Sequence, residues 1–176
     1  MIFGKRTCVA FEISIERTIE PWVYGRILLW LGGHSVGNHE DCGADIKGCI
    51  NWLSDFLVVP RDRCVPDLML APKDDVWRKL VDTVFAPVEE DPGYTDPFSR
   101  FHLSHLGMSA FDEVILVLIN DGKKSERYLW QQNKEAIMDY TAPLGSLEAS
   151  AKEAILWFQK WGLSQPTPDA SPQAPL

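Results

Sequence analysis

The sequence predicts an α+β fold: a mostly antiparallel sheet of about six strands, built from two βββα-like halves and backed by helices. Three observations carry this expectation. Segments with two-residue hydrophobic alternation occur in both halves of the chain. Gly-Gly or Asp-Gly turns join neighbouring segments. A helical hydrophobic pattern then closes each half.

In residues 7–16, Val9, Phe11, Ile13 and Ile15 fall on one face, and Cys8, Ala10, Glu12 and Ser14 on the other. That is a half-buried strand. Residues 22–31 follow a loop containing Pro21. Here Trp22, Tyr24, Arg26, Leu28 and Trp30 share one face and Val23, Ile27, Leu29 and Leu31 the other. Both faces are largely apolar, which predicts a central strand covered on both sides. Arg26 is the charge on its face and needs a carboxylate or a path to water. Gly32-Gly33 predicts a tight hairpin, because glycine reaches positive φ without steric cost. Residues 34–39 then form a short return strand. Asp45 is a candidate N-cap. After it, Ile46, Cys49, Ile50, Leu53, Phe56 and Leu57 recur at helical spacing until Pro60.

Residues 61–72 read as a connector. Residues 72–85 predict a second helix, with Asp74 and Asp75 in its first turn and an apolar face of Trp77, Leu80, Val81 and Val84, ended by Pro87. Residues 86–98 hold three prolines, one glycine and four acids, the composition of an exposed loop. Residues 100–106 and 111–120 read as strands. Asp121-Gly122 turns the chain into a returning strand over 125–132. The last helix covers residues 146–161, with Leu147, Ala151, Ala154, Ile155 and Phe158 as its stripe and Gly162 as its stop.

The same order of elements occurs twice. Phe11 corresponds to Phe101, Trp22 to Phe111 and Gly32-Gly33 to Asp121-Gly122, at offsets of about 90 residues. The expected organisation is a single domain over residues 1–162, with halves 1–60 and 98–162 around a helical insert, 61–97. Residues 163–176 are proline-rich without a core pattern, which predicts a disordered tail.

The chain has 176 residues and a net charge of −8. A domain of this length buries roughly 70% of its unfolded surface and folds without a disulfide or metal. The negative charge disfavours nucleic-acid binding and favours a basic protein partner, although solubility alone also accounts for it. Residues 7–17 are too charged for a signal-peptide core, and no apolar run reaches membrane-spanning length. A cytoplasmic protein with reduced Cys8, Cys42, Cys49 and Cys64 is expected.

The histidines and cysteines raise the question of a metal. His34, His39, Cys42 and Cys49 are zinc-ligand types, but their spacing, H-x4-H-x2-C-x6-C, matches no familiar zinc pattern, and Cys49 fits the helix stripe. His102 and His105 point to opposite faces of a strand. His102 with Asp112 is an acid–base pair without a positioned nucleophile. No nucleophile elbow occurs, and residues 32–37 resemble a phosphate loop only in composition. No cofactor and no metal are expected. A better candidate is an interface for a basic partner: Glu89, Glu90, Asp91 and Asp96 around Tyr94, an amphipathic anchor, together with Glu40 and Asp41 in the loop after the first hairpin.

The opening MIFG, the segments FEISI and WVYGRILLWLGGHSVGNHE, the later RFHLSHLGMSAFDEVILVLIND and RYLWQQN, and the closing GSLEASAKEAILWF resemble bacterial immunity protein family 42. The resemblance covers about residues 1–160 and rests on spaced aromatics and glycines. It implies an antitoxin-like cytoplasmic protein that neutralises a cognate toxin by tight, stoichiometric binding. A nuclease with a basic cleft is the toxin that would suit an acidic inhibitor. Two other classes stay open on the residues alone: a small cytosolic enzyme with a site on the sheet, and an adaptor or chaperone for secretion machinery.

Overall fold

The computed structural model describes residues 1–59, 62–82, 100–103 and 109–164. Its first sheet contains β1 (Ile2–Gly4), β2 (Val9–Ile19), β3 (Trp22–Leu31), β4 (His34–Val36) and β5 (Ala44–Asp45). All pairings are antiparallel, in the order β1-β2-β3-β4, and β5 also pairs with β3. β4 lies beside Leu29–Leu31 and β5 beside Tyr24–Gly25, so together they form a split edge strand. Gly32 and Gly33 turn the β3–β4 hairpin at φ 58° and 91°. Glycine takes positive φ at the lowest steric cost.

The second sheet is the meander β6 (Val114–Asn120), β7 (Ser125–Gln132) and β8 (Met138–Pro143). Its first turn is held by Asp121, whose Oδ1 accepts the backbone N–H groups of Lys123, Lys124 and Ser125 at 2.7, 2.7 and 3.0 Å. These bonds hold the Asp121 carboxyl below the ordinary carboxylate range.

The fold is α+β with antiparallel strands, as expected, but the strands form two sheets where the sequence reading expected one. β4 and β5 pair with the open side of β3, and β6, β7 and β8 pair only with one another. The halves meet instead through a shared core and through loop contacts such as Asn38 N–H to the Ala110 carbonyl at 2.7 Å. The expected strand over residues 100–106 is a second difference. Arg100 and Phe101 are helical, His102 forms an isolated bridge with Val117, and residues 104–106 lie outside the described residues. The third strand of the second half is β8, which the sequence reading left unassigned.

The first and last helices sit on the inner face of the first sheet. In α1 (Ile46–Val58), Ile46, Cys49, Ile50 and Leu53 are buried, the face the spacing predicted. Asp45 occupies the N-cap position without a side-chain cap hydrogen bond. α2 (Lys73–Trp77) continues as a π-helical turn, Arg78–Asp82. The C-terminal helix, α3 (Ser146–Leu163), runs through Gly162 instead of stopping there. Gly162 does not take the positive φ with which a glycine ends a helix. Pro60, Pro87 and the tail from residue 165 lie outside the described residues.

Phe11, Ile13, Ile27 and Leu29 of the first sheet share one core with α1, α3 and Leu116, Leu118, Tyr128 and Trp130 of the second sheet. Each such side chain contributes about 1.5–3 kcal/mol on full burial. Val117, Ile119 and Leu129 point the other way, into a second cluster with Val76, Trp77, Leu80, Val81 and Phe101. The second sheet is therefore covered on both faces, which explains the continuous apolar run of β6. The first sheet is not. Trp22 and Arg26 on the outer face of β3 are exposed, and Tyr24 and Trp30 are half-buried. This corrects the expectation that β3 is covered on both sides. On that outer face Leu28 is buried beneath its neighbours, while Trp22 stands in solvent.

Candidate interaction surface

The loop between β4 and β5 carries the described part of the expected acidic interface. It is built by short polar side chains bonding to nearby backbone. Asn38 Oδ1 accepts Glu40 N–H at 2.9 Å, and Asp41 Oδ1 accepts Gly43 N–H at 2.8 Å, both two-residue Asx turns. Asp41 Oδ2 also accepts the Ser109 hydroxyl. The two acids therefore differ in role. Glu40 is exposed, whereas Asp41 is half-buried and shapes the loop. Glu89, Glu90, Asp91, Tyr94 and Asp96 lie outside the described residues.

Beneath this loop is a cleft of about 330 Å³ lined by Asn38, His39, Ser109, Glu113, Gln132 and Asn133. Gln132 bridges its wall, with its side-chain amide bonded to both the Gly37 N–H and the Gly37 carbonyl at 3.2 Å. The cleft is part polar and part apolar, with Ala110 and Val114 also in its wall.

Sequence reasoning missed the outer face of the first sheet. Strand alternation puts Glu12, Ser14, Trp22, Tyr24, Arg26, Leu28 and Trp30 on it. A bulge between Ile15 and Arg17 shifts the β2 register, so Arg17 comes opposite Tyr24 and Ile19 opposite Trp22. The Arg17 guanidinium lies 4.8 Å over the Tyr24 ring, and Arg6 lies 4.7 Å over Trp30. Arg6 also makes two 2.8 Å bonds to the Glu12 carboxylate, and Trp30 Nε1 donates to the same group at 2.8 Å. Desolvation alone would raise the Glu12 pKa. The bonds from Arg6 and Trp30 outweigh it and hold the carboxyl below its ordinary range. Arg26 faces Glu16 at 3.7 Å, supplying the carboxylate its position called for. The signal for this face was present in the sequence as alternating Trp, Tyr and Arg in β3. The Trp, Tyr and Leu side chains of that face suit double-sided burial equally well, so the sequence alone does not separate the two.

The histidines and cysteines do not converge. Cys49 is fully buried in α1, and burial followed by the nearby Asp45 charge pushes its thiol far above the usual range. His39 Nε2 bonds to Ser35 Oγ at 2.8 Å, and His34 packs 6.2 Å from the Trp130 ring. Cys42 is exposed. No group of three or more His, Cys, Asp or Glu is placed to hold a metal among the described residues. His102 is buried in its bridge to Val117, and His105 lies outside the described residues.

The buried carboxylate of Glu126 has a structural position instead. It accepts the Tyr128 hydroxyl and the backbone N–H groups of Gly145 and Leu147, so it caps the N-terminus of α3 from a neighbouring strand. Burial raises its pKa, against the lowering effect of these bonds.

Fold and surface together define a small α+β protein with one solvent-facing sheet face of interface-type residues and an acidic loop at that sheet's edge. The chain belongs to the immunity protein 42 family, whose family model matches residues 1–157. It is also similar in fold to the crystal structure of CdiI from Burkholderia dolosa AUO158. That likeness has a TM-score of 0.73 at 13% identity, and covers 89% of this chain and 99% of that one. No curated protein matches the sequence. Among the described residues, no helix is long and apolar enough to cross a membrane.

Proposed function

We propose that this immunity protein acts in the cytoplasm, where it binds a cognate bacterial toxin directly and in a fixed ratio, and that the toxin presents a basic surface. The observation that carries this reading is the family match over residues 1–157. The net charge of −8 and the exposed Glu40 support a basic partner, which such a surface attracts and steers. Glu40 and Asp41, with Glu89, Glu90, Asp91, Asp96 and Tyr94 of the acidic segment, are the proposed charged rim. The chain works by occupancy, not by turnover, and contacts neither nucleic acid nor membrane. A nuclease is the proposed toxin activity, because a basic nucleic-acid cleft is the surface an acidic inhibitor fits.

Co-expression tests the reading. Cells carrying the toxin encoded beside this chain survive when the chain is present and die without it. Death in both cases would show that the chain does not neutralise that toxin.

A further inference from the structure

The outer face of the first sheet has the chemistry of a binding surface. Large apolar side chains remain in solvent there: Ile2 is 45%, Trp22 49% and Ile19 54% exposed. Trp, Tyr and Arg dominate binding hot spots, because each offers a large contact area and a polar handle. All three types are concentrated here, at Trp22, Tyr24 and Trp30 and at Arg6, Arg17 and Arg26.

The face is also ordered in advance. Trp30 is held by its bond to Glu12 and by the Arg6 guanidinium over its ring. Tyr24 is covered by Arg17 in the same way. Side chains fixed before binding lose less entropy when a partner arrives.

Its charge runs against the rest of the molecule. Three arginines stand against Glu12 and Glu16 on this face, in a chain whose net charge is −8. Arg6 pairs with Glu12 and Arg26 with Glu16. Arg17 stacks on Tyr24 and has no carboxylate partner among the described residues.

The surface continues into the acidic edge loop. Ser35, opposite Trp30 in the β3–β4 register, is hydrogen-bonded to His39, the residue before Glu40. An aromatic centre thus passes into a charged rim, the usual layout of a protein interface.

We propose that the outer face of the five-stranded sheet is the toxin-docking surface, with Trp22, Tyr24 and Trp30 as anchors and Arg17 reserved for a toxin carboxylate. The occupant is the toxin itself, presenting aliphatic side chains and at least one carboxylate to this face. Its basic groups lie further out, against Glu40. This rests on the toxin-binding reading above and adds where the contact is made and what the toxin must present.

The test is calorimetric titration of the catalytically inactivated toxin domain encoded beside this chain, with the wild-type chain and with Trp22→Ala, Arg17→Glu and Ile19→Asp. Each measurement is paired with a thermal melt and the mass of the free protein in solution. Trp22→Ala and Arg17→Glu are expected to weaken binding by roughly tenfold or more with an unchanged melt. Ile19→Asp, at the most exposed of these positions, replaces Trp22→Ala if that variant melts early. Wild-type affinity in the folded variants would overturn the face while leaving toxin binding intact. A wild-type dimer that Trp22→Ala dissociates, at unchanged toxin affinity, would assign the face to a second copy and overturn the proposal. Absence of binding by the wild-type chain would overturn both readings together.

Discussion

Trp30 Nε1 donates to Glu12 Oε2 at 2.8 Å, diagonally across the β2–β3 pair on the solvent side of the first sheet. With Arg6 bonded to the same carboxylate and lying over the same ring, an indole, a carboxylate and a guanidinium hold one another. The Glu12 pKa is depressed in the fold, so its stabilising contribution is present above its unfolded value of 4.5 and is lost as pH falls through the lower folded value. Glu12→Gln is expected to cost below about 1 kcal/mol near neutrality, because the cluster is partly exposed. The difference from wild type should vanish in acid. Thermal melts over a pH series check this.

Glu126 gives the opposite sign. Burial raises its pKa, so the folded state binds its proton more readily than the unfolded state. Its favourable contribution is full below 4.5 and declines as pH rises toward neutrality. The stability of wild type relative to Glu126→Gln should therefore fall as pH rises. Glu126→Ala should cost about 1–3 kcal/mol, because it strands the Tyr128 hydroxyl and the Gly145 and Leu147 N–H groups. Denaturant unfolding of the three proteins measures both effects.

Arg127 is buried at 6% exposure and ties the second sheet to residues 68–71. It donates to the carbonyls of Leu68, Met69 and Ala71 at 3.0, 3.2 and 2.7 Å, and to Asp139 at 2.6 and 3.1 Å. Arg127→Met keeps most of the packing volume and removes every donor. A loss of about 2–4 kcal/mol is expected, at the lower side of buried-pair values because Asp139 is 35% exposed. Equilibrium unfolding in urea would read it.

Gly25 is required by close approach. A Cβ added there would lie 1.9 Å from the Ser14 carbonyl oxygen and 3.1 Å from Ile46 Cγ1. The first neighbour is backbone and cannot turn aside. Gly25→Ala should cost about 1–3 kcal/mol through displacement of β2 from β3, visible as a lowered melting temperature.

Glu40 should act on encounter more than on stability. Glu40→Lys is expected to slow association with a basic toxin, with the wild-type advantage shrinking at high salt and the melt unchanged. Stopped-flow association at two ionic strengths would show this. An equal on-rate would remove Glu40 from the rim.

Much of the architecture was legible because it is written in local periodicity. β3 and β7 have the expected bounds, the Gly32-Gly33 and Asp121-Gly122 turns close hairpins, and the buried residues of α1 are those on its predicted stripe. What was hidden depends on partners. β1 is three residues long, and in β8 the alternation of Met138, Tyr140 and Ala142 with Asp139 and Thr141 is short and buries only Ala142, so both signals are weak. Phe101 looked like a strand residue because it is apolar, but it is buried from a helical position against the second sheet. The split into two sheets depends on which strands pair across the halves, which local periodicity does not announce. The acids of the candidate rim were visible as composition. The aromatic face was not, because Trp22, Tyr24 and Trp30 read equally well as core until the strand's uncovered side is known.

The central claim is neutralisation by direct binding in a fixed ratio. Titrating the chain into the inactivated neighbouring toxin domain, with light scattering to weigh the product, tests it most directly. Saturation at one chain per toxin, in a complex whose mass is the sum of the two, is the predicted result. A mixture that stays as two separate species at all ratios would contradict it.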